Sequence, residues 1–160
     1  MRLAVTVGDP AGIGPEVVLK ALARTDRPAA EMIVYGPASV LSERAARFGL
    51  RPLESLDARI VDVPPKGPIP LGVTSSAGGH AAADSVLTAA RHALAGEIDA
   101  IVTAPLNKES LAAAGHPWPG HTEMLADVAG VSDVAMLFAF YRMEGRRRAA
   151  RSPTGSSWSR

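Results

Sequence analysis

The chain has 160 residues, enough for one domain or one lobe of a larger one, and its 47% hydrophobic and 21% charged residues indicate a globular protein and exclude overall disorder. It contains no cysteine, which excludes disulfide bonds, cysteine-ligated zinc and Fe–S clusters. The net charge of +1 divides into +5 over residues 141–160 and −4 over the rest, so the body of the chain lacks the basic surface of a nucleic-acid-binding protein.

The first part of the chain alternates predicted strands with predicted helices. Short apolar runs rich in β-branched residues predict the strands, and regularly spaced apolar residues predict the helices. Pro15 and Glu16 favour a helix start, because proline needs no N–H there and a carboxylate suits the positive helix end. The predicted elements are a strand at 2–7, a helix from 15 to about 24, a strand at 31–35, a helix at 39–48 closed by Gly49, and a strand at 58–63.

The alternation resumes after a proline-rich segment that fits neither a strand nor a helix, and we expect residues 64–79 to be a long surface connection. The elements predicted after it are a helix at about 80–94, a strand at 99–103, helices at 108–114 and 122–128, and a strand at 134–140. Such alternation predicts an α/β fold with a parallel sheet covered on both faces. In these folds ligands bind at the carboxyl ends of the strands.

The sequence also indicates where the protein is found. No stretch approaches the ~18 apolar residues of a membrane span. The apolar run at residues 2–7 is too short for the core of a signal peptide. We therefore expect a cytoplasmic protein that contacts neither membrane nor nucleic acid.

The first polar loop, residues 8–16, is rich in glycine and leads into a helix. Its glycines would let the backbone approach a ligand, and the helix behind it would favour an anion. The spacing matches neither the dinucleotide-binding Gly-x-Gly-x-x-Gly nor a Walker A loop. The residues alone leave open a plain strand-to-helix turn that needs glycine.

The second polar loop, residues 103–108, follows a buried strand and carries a hydroxyl, an amide and an ammonium group. These groups suit a phosphate or a carboxylate. The alternative is that Asn107 caps the next helix while Lys108 lies in solvent.

The third polar loop, residues 120–123, contains His121 and Thr122. Histidine can act as acid, base, ligand or hydrogen-bond donor near neutral pH. The alternative is a helix cap at Thr122 beside a surface histidine. No pair of histidines has metal-ligand spacing with a supporting carboxylate, so we expect no metal ligands in this chain.

Taken together and in order, three segments resemble the 4-hydroxythreonine-4-phosphate dehydrogenase (PdxA) family of pyridoxal phosphate biosynthesis. Residues 7–16 are similar to its opening motif, residues 99–109 to its middle motif, and residues 114–126 to its substrate motif. The resemblance covers residues 3–139, the N-terminal half of the family. Relatives within it act on D-threonate or D-erythronate phosphates, so the resemblance leaves the substrate open among these.

The resemblance implies one truncated α/β/α sandwich lobe of the isocitrate and isopropylmalate dehydrogenase type, in a homodimer. It implies NAD-dependent oxidation of 4-phosphohydroxy-L-threonine, a phosphorylated hydroxy acid, followed by loss of carbon dioxide. A divalent metal ion would polarise the reacting oxygens.

Site residues are carried over from the matching motifs. His121 and Thr122 match the family's substrate-binding pair. Asn107 and Lys108 match its middle motif and Asp9 its opening motif, and we expect these three to line the same cleft. No cofactor-binding residue is assigned by the resemblance.

The sequence departs from the family after residue 139, where the family's metal-ligand histidines and remaining substrate contacts would follow. We expect residues 1–139 to form the N-terminal part of the dehydrogenase fold. We expect residues 140–160 to be a disordered, aberrant basic tail, from out-of-frame translation or truncation. Two functions stay open: a dehydrogenase by descent, or a catalytically inactive remnant that only binds a phosphorylated hydroxy acid. A generic nucleotide-binding module is disfavoured by the loop spacing.

Overall fold

The computed structural model describes residues 1–137 in full and residues 141–144 and 147–150 as backbone elements. A short 3₁₀ helix spans Leu53–Ser55. The other elements, in chain order, are β1 Arg2–Thr6, α1 Gly14–Leu22, β2 Glu31–Gly36, α2 Ala38–Arg47, β3 Arg59–Asp62, α3 Ser76–Leu94, β4 Ala100–Thr103, α4 Lys108–Ala113, α5 His121–Ala129, β5 Tyr141–Glu144 and β6 Arg147–Ala150.

The main sheet has four parallel strands in the order β3-β2-β1-β4. Leu3 of β1 lies opposite Met32 of β2 on one side and Ala100 of β4 on the other. The chain therefore moves outward from β1 through β2 to β3, then crosses back to place β4 on the other side of β1.

Helices cover both faces of this sheet. Val34 of β2 packs in one apolar cluster with Leu19 of α1 and Leu41 of α2. The next residue, Tyr35, packs in another cluster with Ala89 of α3. Because neighbouring residues of a strand point to opposite faces, α1 and α2 lie on one face and α3 on the other. The predicted α/β fold with a parallel sheet between helical layers is confirmed.

The start of α3 differs from the sequence prediction. We expected a connection as far as residue 79, yet the helix begins at Ser76, because the Ser75 hydroxyl accepts a hydrogen bond of 3.1 Å from the Gly78 N–H and caps it. Two glycines inside the first turns made this segment resemble a loop. At Gly79 the close approach of α4 requires glycine, because a Cβ atom there would lie 1.9 Å from the Ser110 carbonyl oxygen.

The predicted strand at 134–140 is wrong over residues 134–137, which form no strand. Val134, Met136 and Leu137 are exposed, and a strand requires a neighbouring strand for its backbone hydrogen bonds. Among the described strands none pairs with this segment, and none covers the outer edge of β4. Residues 138–140 lie outside the described part of the chain.

The basic segment contains two short strands that the sequence did not predict. β5 and β6 pair antiparallel, with Tyr141 opposite Ala150. Residues 145–146 and 151–160 lie outside the described residues, so the boundary at residue 139 and the disordered tail stay predictions. None of the helices described is long and apolar enough to cross a membrane.

Candidate functional site

The loops after β1 and β4 meet at the carboxyl end of the sheet. The Asp9 N–H donates a hydrogen bond of 2.9 Å to the Pro105 carbonyl oxygen. Gly8 has a φ of +69°, and a Cβ atom on it would lie 2.2 Å from that same oxygen, so only glycine fits. After β1 the chain adds β2 and β3 on one side of β1, and after β3 it returns to add β4 on the other side. In open α/β sheets this reversal of strand order is the place where ligands bind.

A pocket of about 240 Å³ opens at this point. It is lined by Asp9 and residues 11–13 after β1, by residues 72–74 before α3, and by residues 105–107 after β4. The helices α1 and α3 begin beside it, and their positive ends favour an anionic group. The volume lies below the roughly 300–1,000 Å³ of pockets for drug-sized ligands, so it suits one small group of a ligand.

Asp9 joins three of the elements around the pocket. Its carboxylate is buried, with 4% of the residue exposed. One oxygen accepts a hydrogen bond of 2.8 Å from the Ala11 N–H, and the other accepts one of 2.8 Å from the Ser110 hydroxyl. A Cβ atom on Gly78 of α3 would lie 3.1 Å from the same carboxylate. Asp9 therefore holds its own loop, α4 and the start of α3 together and forms part of the pocket wall.

Asn107 also borders the pocket, and it caps α4. Its side-chain oxygen accepts hydrogen bonds from the N–H groups of Glu109, at 2.8 Å, and Ser110, at 3.2 Å. Its amide group donates to the Thr74 hydroxyl at 3.4 Å, which links α4 to the far wall. Asn107 therefore caps α4, as the alternative interpretation of the sequence predicts. Lys108 is exposed and is not among the described residues that line the pocket.

His121 and Thr122 form the first turn of α5. The His121 Nε2 atom is buried and has no hydrogen-bond partner among the described residues, and burial lowers the pKa of this imidazole from its ordinary value. Gly120, which precedes it, is extended and offers no side-chain cap, so among the described residues no side chain caps the first N–H groups of α5. The first turn of α5 thus combines an imidazole, a hydroxyl and uncapped backbone donors.

The three polar loops are not all brought into direct contact. The loops of residues 8–16 and 103–108 share the pocket, whereas neither His121 nor Thr122 lines it. The connection between them is apolar: Met124 of α5 is fully buried with Leu111 of α4, and Leu106 of the pocket wall packs against the same cluster. That all three loops serve one cleft stays a prediction.

The residues described do not fit a metal centre. No group of three or more His, Asp or Glu side chains among them could hold a metal ion. For NAD, the fit is partial, because a pocket of about 240 Å³ takes one group of a dinucleotide and not the whole. No chemical step is therefore assigned to either in this chain.

Two parts of this site were missed by reasoning from the sequence. Residues 72–74 form a pocket wall, held in place by a 2.8 Å hydrogen bond from the Gly72 N–H to the Ala11 carbonyl. The signal was the length and polarity of the segment before α3, which we read as a plain connection. The second is a stack of rings at His80, His116 and Trp118, for which no sequence spacing gives a warning.

The chain is similar in sequence to one protein family and to several named dehydrogenases. A family model described as pyridoxal phosphate biosynthetic protein PdxA matches residues 22–146. D-threonate 4-phosphate dehydrogenase of Pectobacterium atrosepticum is 38% identical over 150 residues, which cover 84% of this chain and 46% of that protein. 4-hydroxythreonine-4-phosphate dehydrogenase of Thermosynechococcus vestitus is 41% identical over 142 residues, covering 86% of this chain and 42% of that one.

The fold agrees with these matches. A crystal structure described as a 4-hydroxythreonine-4-phosphate dehydrogenase from Burkholderia phymatum superposes with a TM-score of 0.75 at 35% identity, covering 93% of this chain and 48% of that one. The chain spans about half the length of the curated relatives it matches. The family match extends over most of the chain, in sequence and in structure, and the resemblance drawn from the three motifs is confirmed: the chain belongs to the PdxA family of dehydrogenases.

Proposed function

We propose that this chain carries the substrate-phosphate-binding part of an NAD-dependent dehydrogenase that oxidises a phosphorylated hydroxy acid, 4-phosphohydroxy-L-threonine, in pyridoxal phosphate biosynthesis. The observation that carries this proposal is the first turn of α5. There a buried, unpartnered His121 Nε2 and the Thr122 hydroxyl accompany uncapped N–H groups. The uncapped N–H groups of such a helix start can donate hydrogen bonds to a phosphate group.

Both groups of named relatives support a phosphate ester as the shared feature of the substrate. One group is named for 4-hydroxythreonine-4-phosphate and the other for D-threonate 4-phosphate. These substrates differ at the end remote from the phosphate. The start of α5 would therefore recognise the phosphate that the two substrates share, and residues outside this turn would distinguish one substrate from the other.

The pocket between β1 and β4 would form the adjoining wall. Asp9 and Asn107 border it, and the starts of α1 and α3 give it a positive field for a carboxylate or a second anionic group. NAD, when bound to the complete enzyme, would accept the hydride from the secondary alcohol. We place the working enzyme in the cytoplasm as a homodimer.

A second candidate is that the chain by itself binds the phosphorylated acid without turning it over. The chain has four histidines, and none of them belongs to a described group that could hold a metal ion. A catalytic metal typically needs about three protein ligands and an open position.

A turnover assay separates the two candidates. The purified chain is mixed with NAD, Mg²⁺ or Zn²⁺ and either 4-phosphohydroxy-L-threonine or D-threonate 4-phosphate, and NADH absorbance and heat of binding are both recorded. We expect saturable binding of both compounds and no NADH formation above a His121→Ala control. Turnover that the His121→Ala variant lacks would assign the complete dehydrogenase activity to this chain. Absence of binding by both compounds would contradict the proposal.

A further inference from the structure

Three aromatic rings stack beside the start of α5. The imidazole of His116, in the loop after α4, meets the His80 imidazole of α3 edge to face, with ring centroids 5.2 Å apart. The His116 ring also stacks on Trp118, with centroids 5.4 Å apart and an angle of 18° between the planes. His116 is thus held between α3 and the loop that leads to α5.

The stack is tied to α5 itself. The Trp118 indole N–H donates a hydrogen bond of 3.1 Å to the Asp127 carboxylate, near the end of that helix. Trp118 also packs against the apolar cluster that contains the fully buried Met124. At its other end the loop is anchored by the His116 N–H, which donates to the Leu111 carbonyl at 3.1 Å. Movement of the His116 ring would therefore shift the point where α5 begins.

We propose that His116 is a positioning residue for the phosphate-binding start of α5: held between His80 and Trp118, it sets the direction in which His121 and Thr122 face the ligand. This inference rests on the proposed phosphate-binding role of that turn. His116 itself does not touch the ligand, and it acts through Trp118 and the loop of residues 115–120. The ring shape of His116 is what the role requires, and its charge is not.

The surroundings of His116 favour its neutral form. Burial, the His80 imidazole and the Lys66 ammonium lower the pKa of His116, and Asp84 opposes them. Lys66 and Asp84 are themselves paired at 3.0 Å, and Asp127 faces Trp118 from α5. A proton gained by His116 in acid would therefore place a disfavoured positive charge within the ring stack. The position of α5 should become pH-dependent below the ordinary histidine pKa, while a phenylalanine in this place would remove that dependence.

The test compares His116→Ala and His116→Phe with the natural chain, and His92→Gln, on α3 and outside the ring stack, serves as the control histidine. Two quantities are measured: the dissociation constant of 4-phosphohydroxy-L-threonine by calorimetry, and the pKa of His121 by NMR of its ring. At about pH 7.5 we expect His116→Ala to weaken binding about tenfold, and His116→Phe and His92→Gln to stay within about twofold. Among the three variants, we expect only His116→Ala to raise the pKa of His121 toward its ordinary value, because the His121 ring becomes more exposed in that variant.

The pH profile adds a readout that a purely structural role would not move. At about pH 5 we expect His116→Phe to bind several times more tightly than the natural chain, because only the natural chain gains the repelled proton. If His116→Ala does not fold, Trp118→Leu takes its place with the same expected results. An unchanged His121 pKa together with unchanged affinity in these variants would overturn the positioning role while leaving the proposed function intact. Failure of the natural chain to bind the phosphate ester would instead overturn the proposed function, and the positioning role with it.

Discussion

Replacing Gly79 by alanine is expected to destabilise the fold by about 3 kcal/mol, because the added Cβ atom has nowhere to go. It would lie 1.9 Å from the Ser110 carbonyl oxygen and 2.9 Å from the Ala114 Cβ atom, so α3 and α4 would have to separate. Alanine is intrinsically better than glycine in a helix by about 1 kcal/mol, and this gain is too small to offset the clash with a backbone atom. Urea unfolding of the purified variant measures the change.

The matched control for this substitution is Gly67→Ala. A Cβ atom on Gly67 would make only an ordinary contact, 3.7 Å from the Ala77 Cβ atom. Its effect should lie within about 0.5 kcal/mol of zero, because a surface change of this kind touches nothing else. If Gly79→Ala unfolds at the same urea concentration as the natural chain, the close packing of α3 on α4 is wrong.

Asp9→Ala is expected to cost about 3 kcal/mol, because it leaves the Ala11 N–H and the Ser110 hydroxyl without an acceptor next to the pocket. Relief from burying a carboxylate offsets part of this loss. Asp9→Asn keeps one acceptor oxygen and can donate to the Ser110 oxygen, so it should cost about 1 kcal/mol. The free energy of unfolding from urea titration measures both.

Asp62→Ala is the control for the loss of an aspartate that accepts from the backbone. Asp62 is exposed and accepts a 2.8 Å hydrogen bond from the Ala38 N–H at the start of α2, so about 1 kcal/mol should be lost there. A loss in Asp9→Ala no greater than in Asp62→Ala would show that Asp9 does not hold the pocket loops together.

Much of the fold could be predicted because short segments of the sequence indicate their own secondary structure. The apolar runs that form β1 and β2 pack against clusters on both faces of the sheet, so their composition alone identifies them. Gly49 adopts a φ of +61° directly after α2, as its place behind a helical pattern suggested. The loops of residues 8–16 and 103–108 follow adjacent parallel strands, which is why their meeting could be anticipated.

The remaining features depend on contacts between distant residues. Gly78 and Gly79 look like loop residues in the sequence, but Gly79 packs against Ser110 of α4 and Gly78 lies beside the Asp9 carboxylate, so each has little room for a side chain. Residues 134–137 have the apolar character of a strand, yet pattern cannot supply the neighbouring strand that would pair with them. His116 stacks on Trp118 and meets His80 of α3, 36 positions earlier, edge to face, and no periodicity links such positions.

We propose above that the start of α5 binds the phosphate of the substrate. The most direct test of this proposal is calorimetric titration of the chain, its His121→Ala variant and its Thr122→Ala variant with 4-phosphohydroxy-L-threonine and with the unphosphorylated compound. Thr25→Ala serves as the exposed threonine control. We expect the natural chain and Thr25→Ala to bind only the phosphorylated compound. We expect each α5 variant to weaken this binding about tenfold or more, because each loses one charge-assisted or hydroxyl hydrogen bond. Equal affinity in the His121→Ala and natural chains, or equal binding of the unphosphorylated compound, would contradict it.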